Sequence, residues 1–395
     1  MANKQFEKFL VQYQAKDYKW LSEEWTKRHP EDPKSYDAVR KAYRSLDLPQ
    51  KKINVQNKEL PVEAQVEKDI TVTRLRENKA TSDKKYSAAL DQVRTLSNAL
   101  EAAIGLKAVT KTHKIAKSKS TGGEATAFMV ASDWHVEEVV KPGQVNGVNE
   151  YNVDIARQRA DNFFANGVRL VKLFQQGTRI DNIVVPLLGD FISGNLHEDS
   201  MEKNGLGVME AIEFAKELIA SGIKHILENT DCKITLVCHS GNHGRITKRV
   251  HWGTENQNSL EWLMYRSLAY MFKDESRVLF IIPESDVSYL DVYDMKIRFI
   301  HGHQVKYGGG VGGITIPMVK AVSKWDRVQP ADLTVFGHFH QRIDGGNFIG
   351  NGSLIGYNAY AQSMKCDYED PAQQFFLISS RKGGEKSVVT PIWLD

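Results

Sequence analysis

TAFMVASDWH, residues 126–135, is an apolar run that ends in an aspartate and a histidine two positions apart. A short apolar run of this kind, bounded by polar residues, reads as a buried strand. Its polar end lies where ligand sites form in open α/β sheets, just past the carboxyl end of a strand. Four later segments repeat the design: LLGD (187–190), SGNH (240–243), HGH (301–303) and GHFH (337–340). Strands are expected at Thr126–Ser132, Asn182–Leu188, Lys233–His239, Val278–Ile282, Lys296–Ile300 and Leu333–Phe336. Helices are expected between them at Asp154–Gln176, Gly207–Glu228, Asn256–Phe272 and Ile316–Trp325. This alternation predicts a layered α/β fold.

The residues that close the five segments are metal-ligand types: Asp133, His135, Asp190, Asn242, His243, His301, His338 and His340. Alternate positions of an extended segment point the same way, so Asp133 with His135, and His338 with His340, are each expected to bring two ligands to one centre. Gly189, Gly241, Gly302 and Gly337 let the backbone turn and approach closely beside them. A mixed carboxylate, amide and imidazole set suits manganese, iron or zinc, whereas magnesium prefers more oxygen. The sequence holds no Gly-x-Ser-x-Gly elbow, P-loop or Cys-x5-Arg loop to supply a protein nucleophile.

In that order, D-x-H, G-D, G-N-H, H-G and G-H-x-H resemble the five signature blocks of the calcineurin-like metallophosphoesterase superfamily, over roughly residues 128–340. The resemblance implies a layered metallophosphoesterase β-sandwich flanked by helices and a pair of divalent ions, with manganese the first expectation and iron, zinc or magnesium the others. By the same resemblance Asp133, His135 and His340 hold one ion, and Asn242, His301 and His338 hold the second. Asp190 bridges the two, and His243 contacts the phosphate as general acid, a role that suits an imidazole.

One departure stands out. Many relatives follow G-N-H with an acidic residue, whereas Gly244 and Arg245 follow here, so any supporting duty of that carboxylate is absent or moved. Arg245, with Lys248 and Arg249, is expected either to grip a substrate phosphate or to lie on a basic surface helix. Asn195 or His197, in the loop after Asp190, is expected either to contact substrate or only to pack the loop. His303 is a spare imidazole beside His301, His239 a satisfied buried histidine, and Tyr307–Gly313 (YGGGVGG) a loop able to gate the site. Residues 351–354 (NGSL) are read as the strand that follows G-H-x-H.

Outward from this core, residues 125–395 form the catalytic domain and residues 107–124, rich in Lys, Ser and Thr, a linker. Residues 61–106 carry apolar positions at helical spacing and read as one long amphipathic helix, suited to homo-oligomerisation or to docking back onto the domain. Residues 1–50 read as a small all-α extension, either a helix-turn-helix or a plain helical hairpin. Its expected core is Phe9, Trp20, Leu21, Trp25, Tyr36, Val39, Tyr43 and Leu46, with Arg40, Lys41 and Arg44 on the second helix. The net charge of +3 hides an asymmetry. Residues 1–120 hold 25 Lys and Arg against 16 Asp and Glu, a net of +9, and the remainder nets −6. A basic front on an acidic body suggests a polyanionic partner such as DNA.

Three cysteines without CxxC spacing fit a reducing compartment. Without a signal-like or membrane-length apolar run, a cytoplasmic protein with no membrane partner is expected. The leading functional expectation is a two-metal phosphodiesterase acting on DNA, as exonuclease or endonuclease, closest in kind to SbcD-like repair nucleases and bacteriophage-encoded members. The alternatives are a phosphatase or a small-molecule or cyclic-nucleotide phosphodiesterase, and a non-catalytic DNA-binding scaffold, against which the complete ligand set argues.

Overall fold

Every second residue of the first expected strand faces a different neighbour. Ala125, Ala127, Met129 and Ala131 pack towards helices, while Phe128 and Val130 pack towards a second sheet. A period of two with both faces apolar is the pattern of a central strand buried on both sides. The computed structural model describes residues 2–13, 18–30, 32–46, 95, 113–118, 123–195, 204–255, 258–307, 313–364 and 366–395. The chain divides into two compact units, Met1–Tyr86 and Ser87–Asp395.

The first unit holds α1 (Ala2–Gln12), α2 (Tyr18–Arg28) and α3 (Tyr36–Ser45). Phe6, Phe9, Leu10, Leu21, Trp25 and Val39 form its core, centred on Trp25, whose ring meets Phe6 edge-on at 4.7 Å. Half of this core comes from α1, which the sequence reading had not delimited. Trp20 and Leu46 are only partly buried, and the side chains of Tyr36, Arg40, Tyr43 and Arg44 lie outside the described ones. Seven residues, 29–35, separate α2 from α3, more than the three or four of a helix-turn-helix. The expected helix over residues 61–106 lies outside the described residues apart from Thr95.

The strands of the second unit are β1 (His113–Ile115), β2 (Glu124–Met129), β3 (Arg179–Leu187), β4 (Lys233–Cys238), β5 (Val278–Ile281), β6 (Ser288–Val292), β7 (Met295–Phe299), β8 (Leu333–Phe336), β9 (Ile343–Asp344), β10 (Phe348–Gly350), β11 (Ala372–Ser379) and β12 (Glu385–Trp393). Its helices are α4 (Val153–Phe174), α5 (Val208–Asn229), α6 (Leu260–Met271), α7 (Thr315–Trp325) and the short α8 (Ala359–Met364). One sheet has the order β12-β11-β2-β3-β4-β5, the other β1-β6-β7-β8-β10-β9. β2 to β5 run parallel, and the β11–β12 hairpin joins antiparallel. In the other sheet β7, β8 and β10 are parallel.

The two sheets face each other through Phe128, Val184, Leu188, Val237, Ile297, Phe299, Val335 and Phe376. α4, α5 and α6 cover the outer face of the first sheet, and α7 packs Met318 and Val322 on the second. Helix starts are capped where the sequence supplies a polar residue: the Asn152 side chain accepts from Asp154 N and Ile155 N, and Ser259 Oγ from Glu261 N. The outcome is the expected layered α/β architecture, two mostly parallel sheets between helices.

Two boundaries differ from expectation. His113–Ile115, read as linker, is an edge strand parallel to β6, where Ile115 packs against the inter-sheet core and Lys114 stays exposed, as suits a half-exposed edge. The strand after G-H-x-H lies at Phe348–Gly350 instead of residues 351–354, where Asn351, Gly352 and Ser353 form an irregular buried segment. No helix of the described residues is long and apolar enough to cross a membrane.

The Phe128 and Phe376 rings stack at 4.4 Å between the sheets with no exposure. Phe128→Ala is expected to destabilise the folded unit by about 3–5 kcal/mol, read as a lower urea midpoint with an unchanged slope.

Candidate metal centre

Three of the five ligand-bearing segments leave their strands through left-handed turns at the ligands themselves. Asp133, His135, Asp190, His338 and His340 have φ of 57°, 48°, 54°, 70° and 54°, a left-handed conformation that residues with a Cβ rarely adopt. The D-x-H and G-H-x-H ligands therefore converge through sharp turns, and not through the alternation of an extended segment expected above. Tertiary hydrogen bonds hold these turns: Asp133 N donates to Gly189 O at 2.9 Å, His135 N to Asp190 O at 3.1 Å, and Leu354 N to Asp133 O at 3.1 Å. Gly189 has φ 88° and lies so close to the backbone of Gly241 that a Cβ there would collide with it. At Gly337 an added Cβ would fall 2.6 Å from Asp133 Oδ2. Glycine is required at both places for space.

These turns bring ligand atoms from both sheets to one end of the sandwich. Asp133, His135 and His340 offer ligand atoms within 4.8 Å of one another, and so do Asp190, His301 and His338. Within the first group His135 Nε2 and His340 Nε2 are 3.3 Å apart, and His340 Nε2 is 3.5 Å from Asp133 Oδ1. In the second, His301 Nε2 is 3.0 Å from Asp190 Oδ2 and 3.1 Å from the Asn242 side-chain oxygen. His301 is aimed by its other nitrogen, which donates to Leu188 O at 2.6 Å. Asp133 accepts from His338 N, and Asp190 Oδ1 from His243 N at 2.8 Å.

The electrostatics favour a positive charge at this place. Burial opposes a charge on His301, but Asp190 and its hydrogen bond outweigh it and raise the imidazole to about 10. Burial likewise opposes a charge on His340, and the bond to Asp133 lifts it. Burial pushes Asp190 up, yet His301 and His243 hold it well below the usual carboxylate range. His135 and His338 are driven well below the ordinary imidazole value, chiefly by burial, which keeps them neutral as a metal ligand must be. Two imidazole nitrogens at 3.3 Å with a carboxylate beside them are a donor set that a divalent cation satisfies. The residues fit such an ion in each group.

Supporting residues came from positions that the sequence did not single out. Ser193 Oγ pairs with His135 Nδ1 at 2.9 Å, and Ser193 O accepts from His243 Nδ1 at 3.1 Å. Glu137, fully buried, accepts from Ser193 N and Gly194 N, and burial raises its carboxyl to about 7. Glu261 of α6 is also fully buried. It accepts from Phe191 N at 2.6 Å and Gly241 N at 2.7 Å, tying the loops after β3 and β4. A Cβ on Gly244 would meet the Glu261 side chain at 2.7 Å. The glycine after G-N-H thus makes room for a carboxylate that arrives from the helix.

Arg245 does not reach outwards; it donates to its own loop at Asn242 O. Residues 244–250 form a loop and not a basic helix, with Lys248 and Arg249 exposed. Asn195 is exposed on the loop after Asp190, and His197 lies outside the described residues. His239 is buried against Ser288 Oγ at 2.7 Å and lowered by burial to about 3, the satisfied core histidine expected. A cavity of about 430 Å³ opens beside His338, lined among others by His303, Lys306, Tyr307, Phe339 and Tyr360. Tyr307 is the part of the glycine-rich loop that lines it; residues 308–312 lie outside the described ones.

No protein-family model matches the sequence, and no curated protein matches it. Among solved structures the chain is similar to vacuolar protein sorting 29 from Cryptosporidium parvum, at 12 % identity over 68 % of this chain and 98 % of that one, with a TM-score of 0.27. It is also similar to a hypothetical protein, PH1004, from Pyrococcus horikoshii OT3, at 11 % identity over 68 % and 89 %, TM-score 0.34. A third is a protein serine/threonine phosphatase from Saccharomyces cerevisiae with similarity to human phosphatase PP5, at 9 % identity over 77 % and 90 %, TM-score 0.29. At such scores the likeness carries no functional weight, which rests instead on the side chains.

Glu261→Ala leaves two buried N–H groups without an acceptor. It is expected to weaken divalent-ion uptake by about 10- to 100-fold, measured by titration calorimetry, while Glu261→Gln, which keeps an acceptor oxygen, loses less.

Proposed function

We propose that this chain is a two-metal phosphoesterase that hydrolyses phosphodiester bonds. The observation that carries the reading is the pair of His/Asp groups, Asp133–His135–His340 and Asp190–His301–His338, assembled at one end of the sandwich. Asp133, His135 and His340 would hold one ion, and Asn242, His301 and His338 the other, with Asp190 between them. Two divalent ions so bound would supply positive charge for the phosphoryl oxygens and lower the pKa of a water, so no protein nucleophile would be needed.

The chain's own residues account for the remaining requirements. His243 stands with its ring 5.0 Å from that of His135. Its Nδ1 donates to Ser193 O, which sets the ring's orientation and assigns proton delivery to Nε2. The general-acid role for a departing alkoxide follows. Gly189, Gly241 and Gly337 keep side chains out of the space around the carboxylates. The basic loop with Lys248 and Arg249, and Lys306 in the cavity, suit a polyanionic substrate. DNA is the substrate we favour, given the basic residues 1–120. A bounded, aromatic-lined cavity next to His338 supports the second reading, a small-molecule phosphodiesterase.

Purified protein with manganese is expected to hydrolyse bis-p-nitrophenyl phosphate and oligonucleotides, and to lose both activities to a chelator. His243→Gln is expected to lower kcat by about 10²- to 10⁴-fold while manganese binding persists. A protein that binds no divalent ion, or one that hydrolyses no phosphoester when loaded, refutes the hydrolase. Turnover of small esters alone, with every oligonucleotide inert, selects the second reading. For DNA, the binding constant should fall steeply with salt.

A further inference from the structure

His303, two residues beyond His301, is not accounted for by either group of metal ligands. Its side chain is 7 % exposed, and Nε2 pairs at 3.1 Å with Glu255, whose side chain is 2 % exposed. The imidazole lines the cavity beside His338, with ring centroids 6.3 Å apart. Neither His303 Nδ1 nor Glu255 Oε1 finds a hydrogen-bond partner among the described residues, although both atoms are buried. His303 belongs to the cavity wall, and a buried polar atom without a partner there marks a place that a ligand can complete.

Over this pair lies Trp252. Its ring is parallel to that of His303, with centroids 5.8 Å apart and planes within 8°. The tryptophan is nonetheless 60 % exposed. An exposed indole set parallel to an imidazole that itself lines the cavity is a flat surface one residue away from that cavity. A lone exposed aromatic needs no explanation, but this one lies parallel to the imidazole of a buried, hydrogen-bonded His303–Glu255 pair. The local charge selects what rests on it. The carboxylates of Glu255 and Asp286 act on His303 and disfavour a second phosphate there, whereas Lys248 and Arg249 are exposed in the loop that leads to the tryptophan. A neutral aromatic ring with an anionic backbone alongside is the ligand that matches.

We propose that Trp252, backed by His303 and Glu255, is a base-stacking subsite that takes an unpaired nucleobase of the nucleotide whose phosphoester lies at the metal centre. The proposal rests on the phosphoester-hydrolase reading and narrows its substrate class to nucleoside phosphodiesters with an accessible base, a single strand or a nucleotide ester. His303 is the positioning residue of the subsite, and Trp252 the one that touches substrate. Base–aromatic stacking of this kind is tolerant of base identity.

The test compares two esters that release the same p-nitrophenolate, thymidine 5′-(p-nitrophenyl phosphate) and methyl p-nitrophenyl phosphate, with manganese-loaded full-length protein. The wild type is expected to show the lower KM for the thymidine ester. Trp252→Ala should raise that KM about tenfold, the loss of one stack, with kcat held and the methyl ester unaffected; Trp252→Phe should keep most of the preference. Equal effects on the two esters, or none on either, overturn the subsite. Thymidine monophosphate should also quench tryptophan fluorescence in the wild type and not in Trp252→Phe. That readout needs no turnover, so quenching without hydrolysis sinks the hydrolase and spares the platform, and hydrolysis without quenching does the reverse.

Discussion

The close approach of the loops that leave β2, β3 and β4 is the constraint on which the rest of the structure depends. Gly189 lies against Gly241 with no room for a side chain between them, and Asp133 N and His135 N reach across to the carbonyls of Gly189 and Asp190. Parallel neighbours stand about 4.8 Å apart, so loops that leave their strands in step can share hydrogen bonds only if each turns at once. Left-handed backbone at Asp133, His135 and Asp190 accomplishes that turn, at a cost of order 1–3 kcal/mol for each residue. The packed sandwich beneath, with Phe128, Val184 and Val237 on one face and Ala127, Ile183 and Leu236 on the other, offsets it.

Buried carboxylates do much of the joining, and they act through backbone N–H groups. Glu137 holds Ser193 N and Gly194 N, Glu261 holds Phe191 N and Gly241 N, and Asp133 holds His338 N. An acceptor that satisfies two donors of a turn fixes the turn's shape, because either donor left alone in the interior is costly. The ligand histidines are aimed the same way, His301 by Leu188 O and His135 by Ser193 Oγ. The ring orientations therefore belong to the protein scaffold.

The strands that carry ligands, β2, β3, β4, β7 and β8, were legible because each is an apolar run ending in chemistry, and the ligand-free but apolar β5 also lies where the sequence placed it. The remaining strands were harder to see. β6 (SYLDV) is short and mixed, and β11 buries Gln373 and Gln374; the Gln373 amide donates to Gly352 O, and Gln374 donates its backbone N–H to the Asn351 side chain in the irregular segment alongside. The eight chemical residues could be listed from motifs, but not the way in which they meet, since positive φ at non-glycine residues leaves no mark in a sequence. Glu261 was invisible for a related reason. An acidic residue near the start of a helix is ordinarily solvated and favours the helix dipole. Only the tertiary structure shows it buried, filling the space that Gly244 vacates.

Each group of ligands draws on both sheets: Asp133, His135 and Asp190 leave the first, His301, His338 and His340 the second. An ion seated in either group would thus be a clasp across the open edge of the sandwich, comparable to a cross-link added to the apolar contacts and the few hydrogen bonds, such as His301 to Leu188 O, that already join the layers. Peeling one layer from the other would break both clasps together, so the loaded molecule should resist opening at this end as a single cooperative step. Rigidity at the reacting centre and resilience of the whole unit would then share one origin.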